Sequence, residues 1–417
     1  MTPAALYDLA RPGAVLVLAP RWANVLAPAG DARLPRDGFV VLVAPPGVRR
    51  LAARSLGRGG WAVRQPLLAV PGLEAPGYVA TLGSPRAART AIAHQGAGGS
   101  RTRRLTALAL RLPGGKRALR TFSPRTALLL ARPGAPHAFS WLGADVDAIS
   151  ITAGRHAGAV VRGWRAGDAD PVAVAKVDPG GRLDREAGAL ARLGPAAAAA
   201  GAAVPRVRDR VEWDGVTALV EDVVAGEPAR AVLARDPARL PAVLDALGGW
   251  LLRWNAATRT EHELTADELE RWLLAPARRL GADAAALAAR LAGARVPLVA
   301  VHRDLMTDNV LLAGDALGVV DWEHADAAWL PFTDLVYAAV DAIAVARRLS
   351  RAEALAALRR DPPAAWREHR AAFGADVEAL ALHACFLHHA ANELGEPGGG
   401  DGQFGAAARA LLRGEAG

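Results

Sequence analysis

A single cysteine, Cys385, in 417 residues excludes an internal disulfide and any metal cluster built on several thiolates. No apolar run approaches the roughly 18–20 residues that a membrane-spanning helix requires. Ala14-Val-Leu-Val-Leu-Ala19 is too short for the core of a signal peptide, and Arg11 before it is offset by Asp8, so an untargeted, cytoplasmic protein is expected. Lysine is nearly missing: of 50 Lys and Arg residues only Lys116 and Lys176 are lysines. Heavy use of Ala, Arg, Gly and Pro suggests a GC-rich genome in which Arg serves wherever a generic positive charge will do. A lysine kept against that bias raises a chemical question. Acidic residues are missing from Ala75 to Ala144, where ten Arg and Lys116 give +11 against +8 for the whole chain. The remainder is therefore net acidic. Few aromatics interleave those charges (Phe122 among them, Tyr78, Phe139 and Trp141 at the margins), so the segment reads as a solvated basic face or a surface for a protein partner, and nucleic acid is not expected.

What is present is enough for several cores. With 52% apolar and 22% charged residues the chain is globular, and its length exceeds the usual domain of about 100–200 residues. Residues 1–84 read as strands Ala14–Ala19, Gly38–Ala44, Ala62–Val70 and Tyr78–Leu82 with a helix at Val48–Leu56, an α/β module. With Arg36-Asp37-Gly38 before a buried strand, the order resembles the C-terminal half of a class I methyltransferase. No Gly-x-Gly-x-Gly loop follows a first strand, so the module is read as degenerate, of unknown role, and is not expected to bind a methyl donor. Residues 85–145 read as a basic linker and a hairpin, Leu105–Leu112 and Arg117–Phe122 around Pro113-Gly-Gly-Lys116. Residues 146–225 carry strands Val146–Thr152, Ala159–Gly163 and Val172–Val177. Residues 226–417 are dominated by helical spacing, at Leu240–Ala257, Asp267–Leu280, Ala282–Leu291, Leu335–Leu349, Ala352–Arg360 and Val377–Leu394. Strands first and helices later predict an α+β chain with a small sheet-rich lobe and a larger helical lobe.

The chemistry concentrates in Val301-His-Arg-Asp-Leu-Met-Thr-Asp-Asn-Val-Leu-Leu312 and Gly318-Val-Val-Asp-Trp-Glu323. Asp304 and Asn309 stand five residues apart, and Asp321 follows Asp304 by seventeen. The pattern matches the His-Arg-Asp-Leu-x-x-x-Asn loop of kinases followed by a metal-binding Asp at a strand end. Phosphoryl transfer needs a carboxylate beside the attacking hydroxyl and oxygen ligands that hold Mg²⁺ against the phosphates. The runs Val310–Leu312 and Gly318–Val320 are expected to pair and bring Asp321 beside Asn309. Upstream, Val172-Ala-Val-Ala-Lys176-Val closes an apolar strand with a lysine, whose compact ammonium can sit between phosphate oxygens. Glu186 follows on a helix expected at Asp184–Leu193, where a solvated role is the alternative. Gly154 and Gly158, in Thr152-Ala-Gly-Arg-His-Ala-Gly-Ala159, lie where a phosphate-covering loop belongs, or form a plain β-turn.

Residues from about 146 to 417 resemble the aminoglycoside phosphotransferase family of small-molecule kinases, which shares the protein-kinase fold. Asp321-Trp-Glu323 is similar to that family's metal-binding segment, Leu219-Val-Glu-Asp-Val-Val-Ala-Gly-Glu-Pro228 to its hinge, and Pro331-Phe-Thr-Asp-Leu335 to the segment after the metal Asp. The resemblance implies Asp304 as catalytic base, Asn309 and Asp321 as Mg²⁺ ligands, Lys176 with Glu186 for the phosphates, and backbone groups from Glu221 to Val223 for the adenine of ATP. Asp334 is expected to cap the helix that follows. The family usually has Gly between the catalytic His and Asp, whereas Arg303 stands here. Met306, Trp322-Glu323 and the lack of an Ala-Pro-Glu segment separate the chain from protein kinases. The expected activity is ATP- and Mg²⁺-dependent phosphorylation of a hydroxyl on a small molecule, aminoglycoside-, sugar- or amino-alcohol-like. The competing reading is a catalytically weak kinase-fold scaffold that binds nucleotide and regulates. His383, His388 and His389 are read as satisfied or surface histidines, because their spacing does not suit a metal, and Trp250, Trp254, Trp272 and Trp322 as packing residues.

Overall fold

Short apolar runs build a sheet in the first half of the chain, and apolar stripes of helical period build a core in the second. The computed structural model describes residues 15–18, 39–43, 46–70, 78–81, 108–109, 111–115, 117–118, 126–134, 140–146, 148–153, 158–165, 168, 170–178, 182–213, 216–393 and 403–412. They fall into two units, Met1–Asp184 with Arg206–Val223, and Arg185–Pro205 with Val224–Gly417.

In chain order the first elements are β1 (Val15–Leu18), β2 (Phe39–Val43), α1 (Pro46–Arg58), β3 (Ala62–Val70), β4 (Tyr78–Thr81), β5 (Thr126–Ala131), β6 (Ala148–Ala153), β7 (Ala159–Trp164) and β8 (Ala173–Asp178). They are followed by α2 (Leu183–Ala199), β9 (Ala202–Ala203), β10 (Val207–Trp213) and β11 (Val216–Glu221). The first unit is one sheet in the order β1-β2-β5-β3-β4-β6-β7-β8-β11-β10, with β1 and β2 parallel and the other neighbours antiparallel. Leu128 and Leu130, alternate residues of β5, bury with Leu42, Leu56 and Trp61. Strand β4 pairs with β6 (Val79 opposite Ile151), so the N-terminal strands and those of residues 146–225 share one ladder system.

The segment expected to be linker and hairpin differs from that expectation. Its strand is β5, and Leu108, Ala109, Arg111, Arg117 and Ala118 are helical on either side of a turn in which Gly114 has φ +76°. Leu108 and Leu112 are four apart, a helical spacing that the Pro-Gly-Gly turn signal obscured. Lys116 lies outside the described residues.

The second unit continues with β12 (Glu227–Pro228), α3 (Ala229–Arg235), α4 (Leu240–Thr258), β13 (Thr260–Glu263), α5 (Ala266–Leu269, running on through a π-turn at Glu270–Leu274 to Ala275–Arg279) and α6 (Ala285–Leu291). Then come β14 (Arg295–Val301), β15 (Val310–Ala313), β16 (Ala316–Val319), β17 (Asp326–Trp329), α7 (Thr333–Arg347), α8 (Arg351–Arg360), α9 (Ala364–Phe373), α10 (Ala375–Glu393) and α11 (Gln403–Leu412). Two small sheets, β12-β15-β16-β9 and β13-β14-β17, carry the loops of interest.

Its core runs through α4, where Leu240, Val243, Leu244, Leu247, Trp250, Leu251 and Trp254 recur at spacings of one, three and four and are all buried. Trp250 and Trp254 stack at 5.1 Å, and Trp322 meets Trp254 edge-on at 5.5 Å. Burying a large apolar side chain contributes about 1.5–3 kcal/mol, so this column anchors the unit. Gly248 permits the close approach of α4 and α9: a Cβ there would stand 2.1 Å from that of Ala365.

Candidate active site

Strand β14 delivers the chain to the His302-Arg303-Asp304 turn, and β15 carries it away. Strands β15 and β16 pair antiparallel, with Val310 opposite Val319 and Leu312 opposite Leu317. The Asn309 carbonyl accepts from the Val320 amide at 3.0 Å, which brings Asp321 beside Asn309 as the spacing predicted. The Asn309 side chain donates through Nδ2 to the Asp304 carbonyl at 2.8 Å and to Asp304 Oδ2 at 3.2 Å, leaving Oδ1 for another partner. Burial, then the charge of Asp321, push the Asp304 carboxyl up to about 6, against the pull of His324, Asn309 and the Tyr337 hydroxyl.

The loop is held in an unusual backbone state. Arg303 has φ +65° and Asp321 φ +71°. Asp tolerates this left-handed region, whereas a long side chain such as Arg pays roughly 1–2 kcal/mol to adopt it. The Asp334 carboxylate offsets that cost by accepting from both the His302 amide (2.6 Å) and the Arg303 amide (2.8 Å). Asp334 was expected to cap α7. The helix instead has Phe332 at its N-cap with no side-chain cap, and the buried carboxylate serves the loop by accepting from its amides.

The Arg303 side chain has its own nest. Its guanidinium lies 4.3 Å over the Trp329 ring, donates to His388 Nε2 at 3.0 Å and stands 3.8 Å from Asp326. Burial, reinforced by the Arg303 charge, lowers His388 to about 4, so the ring is neutral and can accept. His383 bonds the Ala379 carbonyl, and His389 stacks on Tyr337 at 4.1 Å. His383 and His388 are thus hydrogen-bonded and His389 is packed against Tyr337, and among the described residues no group of three or more His, Cys, Asp or Glu is set to hold a metal.

Glu186, fully buried on α2, accepts from the Trp322 amide at 3.0 Å, immediately after Asp321. Trp322 also donates from Nε1 to the Val319 carbonyl and meets the His302 ring edge-on, while His302 Nε2 bonds the Val320 carbonyl. Lys176 sits half-buried on β8 between Val160 of β7 and Leu219 of β11. Glu221 is buried at the end of β11, with Val223 two residues beyond. Gly158 is buried just before β7, and Gly154 lies outside the described residues.

Tyr337, Asp341, Thr307, Arg230 and His324 were not anticipated. Asp341 accepts from the Thr307 amide (3.0 Å) and hydroxyl, and Arg230 ties Asp341 to Asp308. The signal was available in part: Asp334, Tyr337 and Asp341, at i, i+3 and i+7, are a polar stripe on an otherwise apolar helix. His324 is raised by its hydrogen bond to Glu323, opposed by burial, with the charges of Asp304 and Asp321 adding to the rise.

A family model described as the phosphotransferase enzyme family matches residues 153–389, and the chain belongs to that family. It is a phosphotransferase, and its described residues form an α+β fold. Similar solved structures include a thermostable mutant of aminoglycoside phosphotransferase APH(4)-Ia in ternary complex with ADP and hygromycin B, 16% identical, with 67% of this chain and 97% of that chain covered and a TM-score of 0.46. Another is aminoglycoside phosphotransferase APH(3'')-Id from Streptomyces rimosus in complex with ADP and streptomycin, 21% identical, covering 59% of this chain and 94% of that chain at a TM-score of 0.37. Among curated proteins none matches the chain. No described helix is long and apolar enough to cross a membrane.

Proposed function

We propose that the protein transfers the γ-phosphoryl group of ATP to a hydroxyl of a small molecule, aminoglycoside-, sugar- or amino-alcohol-like. The observation that carries this reading is Asp304, a carboxylate brought to about 6 by burial and by Asp321, on a loop whose amides are held by Asp334. A base of that strength is largely ionised at neutral pH yet can take up a proton, as general-base work requires. Asp304 orients the acceptor hydroxyl and receives its proton as the oxygen bonds to phosphorus and ADP leaves.

The residues suit a hard divalent cation. Asn309 Oδ1 and the Asp321 carboxylate are oxygen donors of the type Mg²⁺ prefers, and the mutual repulsion of Asp304 and Asp321 is what a cation would relieve. Bound there, Mg²⁺ would offset negative charge on the phosphate oxygens. Lys176 supplies a compact positive charge to phosphate oxygens, the backbone near Gly154 and Gly158 supplies N–H donors, and the Glu221 to Val223 backbone takes the adenine. Glu186 acts by holding the Trp322 amide, and so the Asp321 turn. The basic segment 75–144 remains a candidate surface for a protein partner.

The test is a panel of small hydroxyl compounds assayed for ATP consumption with the full chain and Mg²⁺, alongside a thermal-shift series. Stabilisation by ATP that requires Mg²⁺ is expected. No shift with both in large excess, and no ATP consumption on any acceptor, would favour the scaffold reading.

A further inference from the structure

We propose that Asp341 is a positioning residue for phosphoryl transfer, acting through Thr307 to set where Asp304 and Asn309 stand. The inference rests on the reading of Asp304 as base. Between Asp304 and Asn309 the chain makes a tight turn, with the Met306 amide bonded to the Asp304 carbonyl (2.9 Å) and the Asn309 amide to the Met306 carbonyl (2.9 Å). Thr307 is the middle of that turn and is fully buried. Both of its donors, backbone N–H and hydroxyl, go to one oxygen, Asp341 Oδ2.

The other oxygen of Asp341 faces Arg351 at 3.3 Å and Arg230 at 3.5 Å. Arg230 reaches onward to Asp308 at 2.8 Å, and its own amide donates to the Thr307 carbonyl at 3.1 Å. Thr307 is thus gripped at its amide, carbonyl and hydroxyl, by groups on α7 and α3. Asp341 is 2% exposed, and a carboxylate so buried is retained only with such partners.

The geometry of α7 explains why one helix does this. Residues at i, i+3 and i+7 share a face, and here each meets a successive part of the loop. Asp334 takes the amides of 302 and 303, Tyr337 faces the Asp304 carboxylate, and Asp341 takes Thr307. Tyr337 is braced by His389 at 4.1 Å and Phe404 at 5.6 Å. The loop is therefore templated on a rigid rod at three points, and a slip at the last would move the base and Asn309 relative to each other.

The experiment compares Thr307→Val, which keeps the shape and the amide but removes the hydroxyl, with Thr307→Ser, which keeps both donors, and with Asp341→Asn. Misplacement of a reacting group by about 1 Å can cost up to 10²-fold. Thr307→Val and Asp341→Asn should lower kcat about tenfold, with KM for ATP and acceptor within about twofold of wild type. Thr307→Ser should restore turnover. Hydrogen exchange of the amides from 303 to 309 should quicken in Asp341→Asn while the protein stays folded. Equal kcat for the Val and Ser variants, or a fall in thermal stability with unchanged kcat and loop exchange, overturns the proposal. Asp304→Asn, run in parallel, separates the two ideas: if it alone is silent the site reading has failed, and if it alone is dead only the role of Asp341 has.

Discussion

Glu186 and Trp322, 136 positions apart in the chain, are joined by a hydrogen bond from the Trp322 amide to Glu186 Oε1 at 3.0 Å. The bond ties α2 to the residue that follows Asp321, whose backbone sits at φ +71°. A helix carboxylate thereby holds the turn that presents the expected metal ligand.

Replacing Glu186 by Gln keeps an acceptor for that amide, and replacing it by Ala does not. An unsatisfied buried N–H costs about 1–3 kcal/mol. Glu186→Ala should therefore lose stability of that order in denaturant melts, together with turnover, while Glu186→Gln stays close to wild type in stability. Equal melts for the two variants would show that the bond contributes nothing.

Asp304→Asn keeps the loop's shape but loses the proton acceptor, so turnover should fall at least about 10²-fold with nucleotide binding nearly intact. The same variant has a stability signature. The folded value of about 6 lies above the ordinary 3.8, so the protonated carboxyl contributes its full share of stability below 3.8, and that share is lost as pH rises through about 6. Without nucleotide or divalent cation, Asp304→Asn should therefore melt higher than wild type near neutral pH, by about 2–4 °C for each kcal/mol relieved, and the gap should close in acid. A variant that melts lower at neutral pH contradicts the burial argument.

Lys176→Arg tests the other unit alone. A planar guanidinium cannot take the place of a compact ammonium between phosphate oxygens, so KM for ATP should rise and turnover fall. Full activity would make Lys176 an ordinary strand residue.

Gly248→Ala asks α4 and α9 to separate, because the new methyl would meet Ala365 Cβ at 2.1 Å. Overpacking of this kind costs about 1–3 kcal/mol, to be read as a lower denaturation midpoint with unchanged slope.

Residues 1–84 should bind no methyl donor. Isothermal calorimetry with S-adenosylmethionine is expected to show no saturable heat, and clear binding would require a new account of β1 to β4.

The sequence alone determined the local and the chemical. Short apolar runs located β1 to β4 and β6 to β8, helical periods located α4, α7 and α10, and the runs Val310–Leu312 and Gly318–Val320 forecast the β15–β16 ladder, because each of these rests on residues close in the chain. The insertion of β5 between β2 and β3, the pairing of β4 with β6, and the helical residues where a hairpin was expected were decided by long-range pairing, which local propensity does not encode. The same holds at the site. Asp334 reads from sequence as a helix cap, yet folding sets it against two loop amides 31 and 32 residues earlier, and only there does its carboxylate replace hydrogen bonds those amides lost on burial. Glu186, Tyr337, Asp341 and the Arg303 nest are contacts between separate elements. Glu186 was read from the sequence with a different role and Tyr337 and Asp341 were not read at all, because tertiary packing chose the partners of all three.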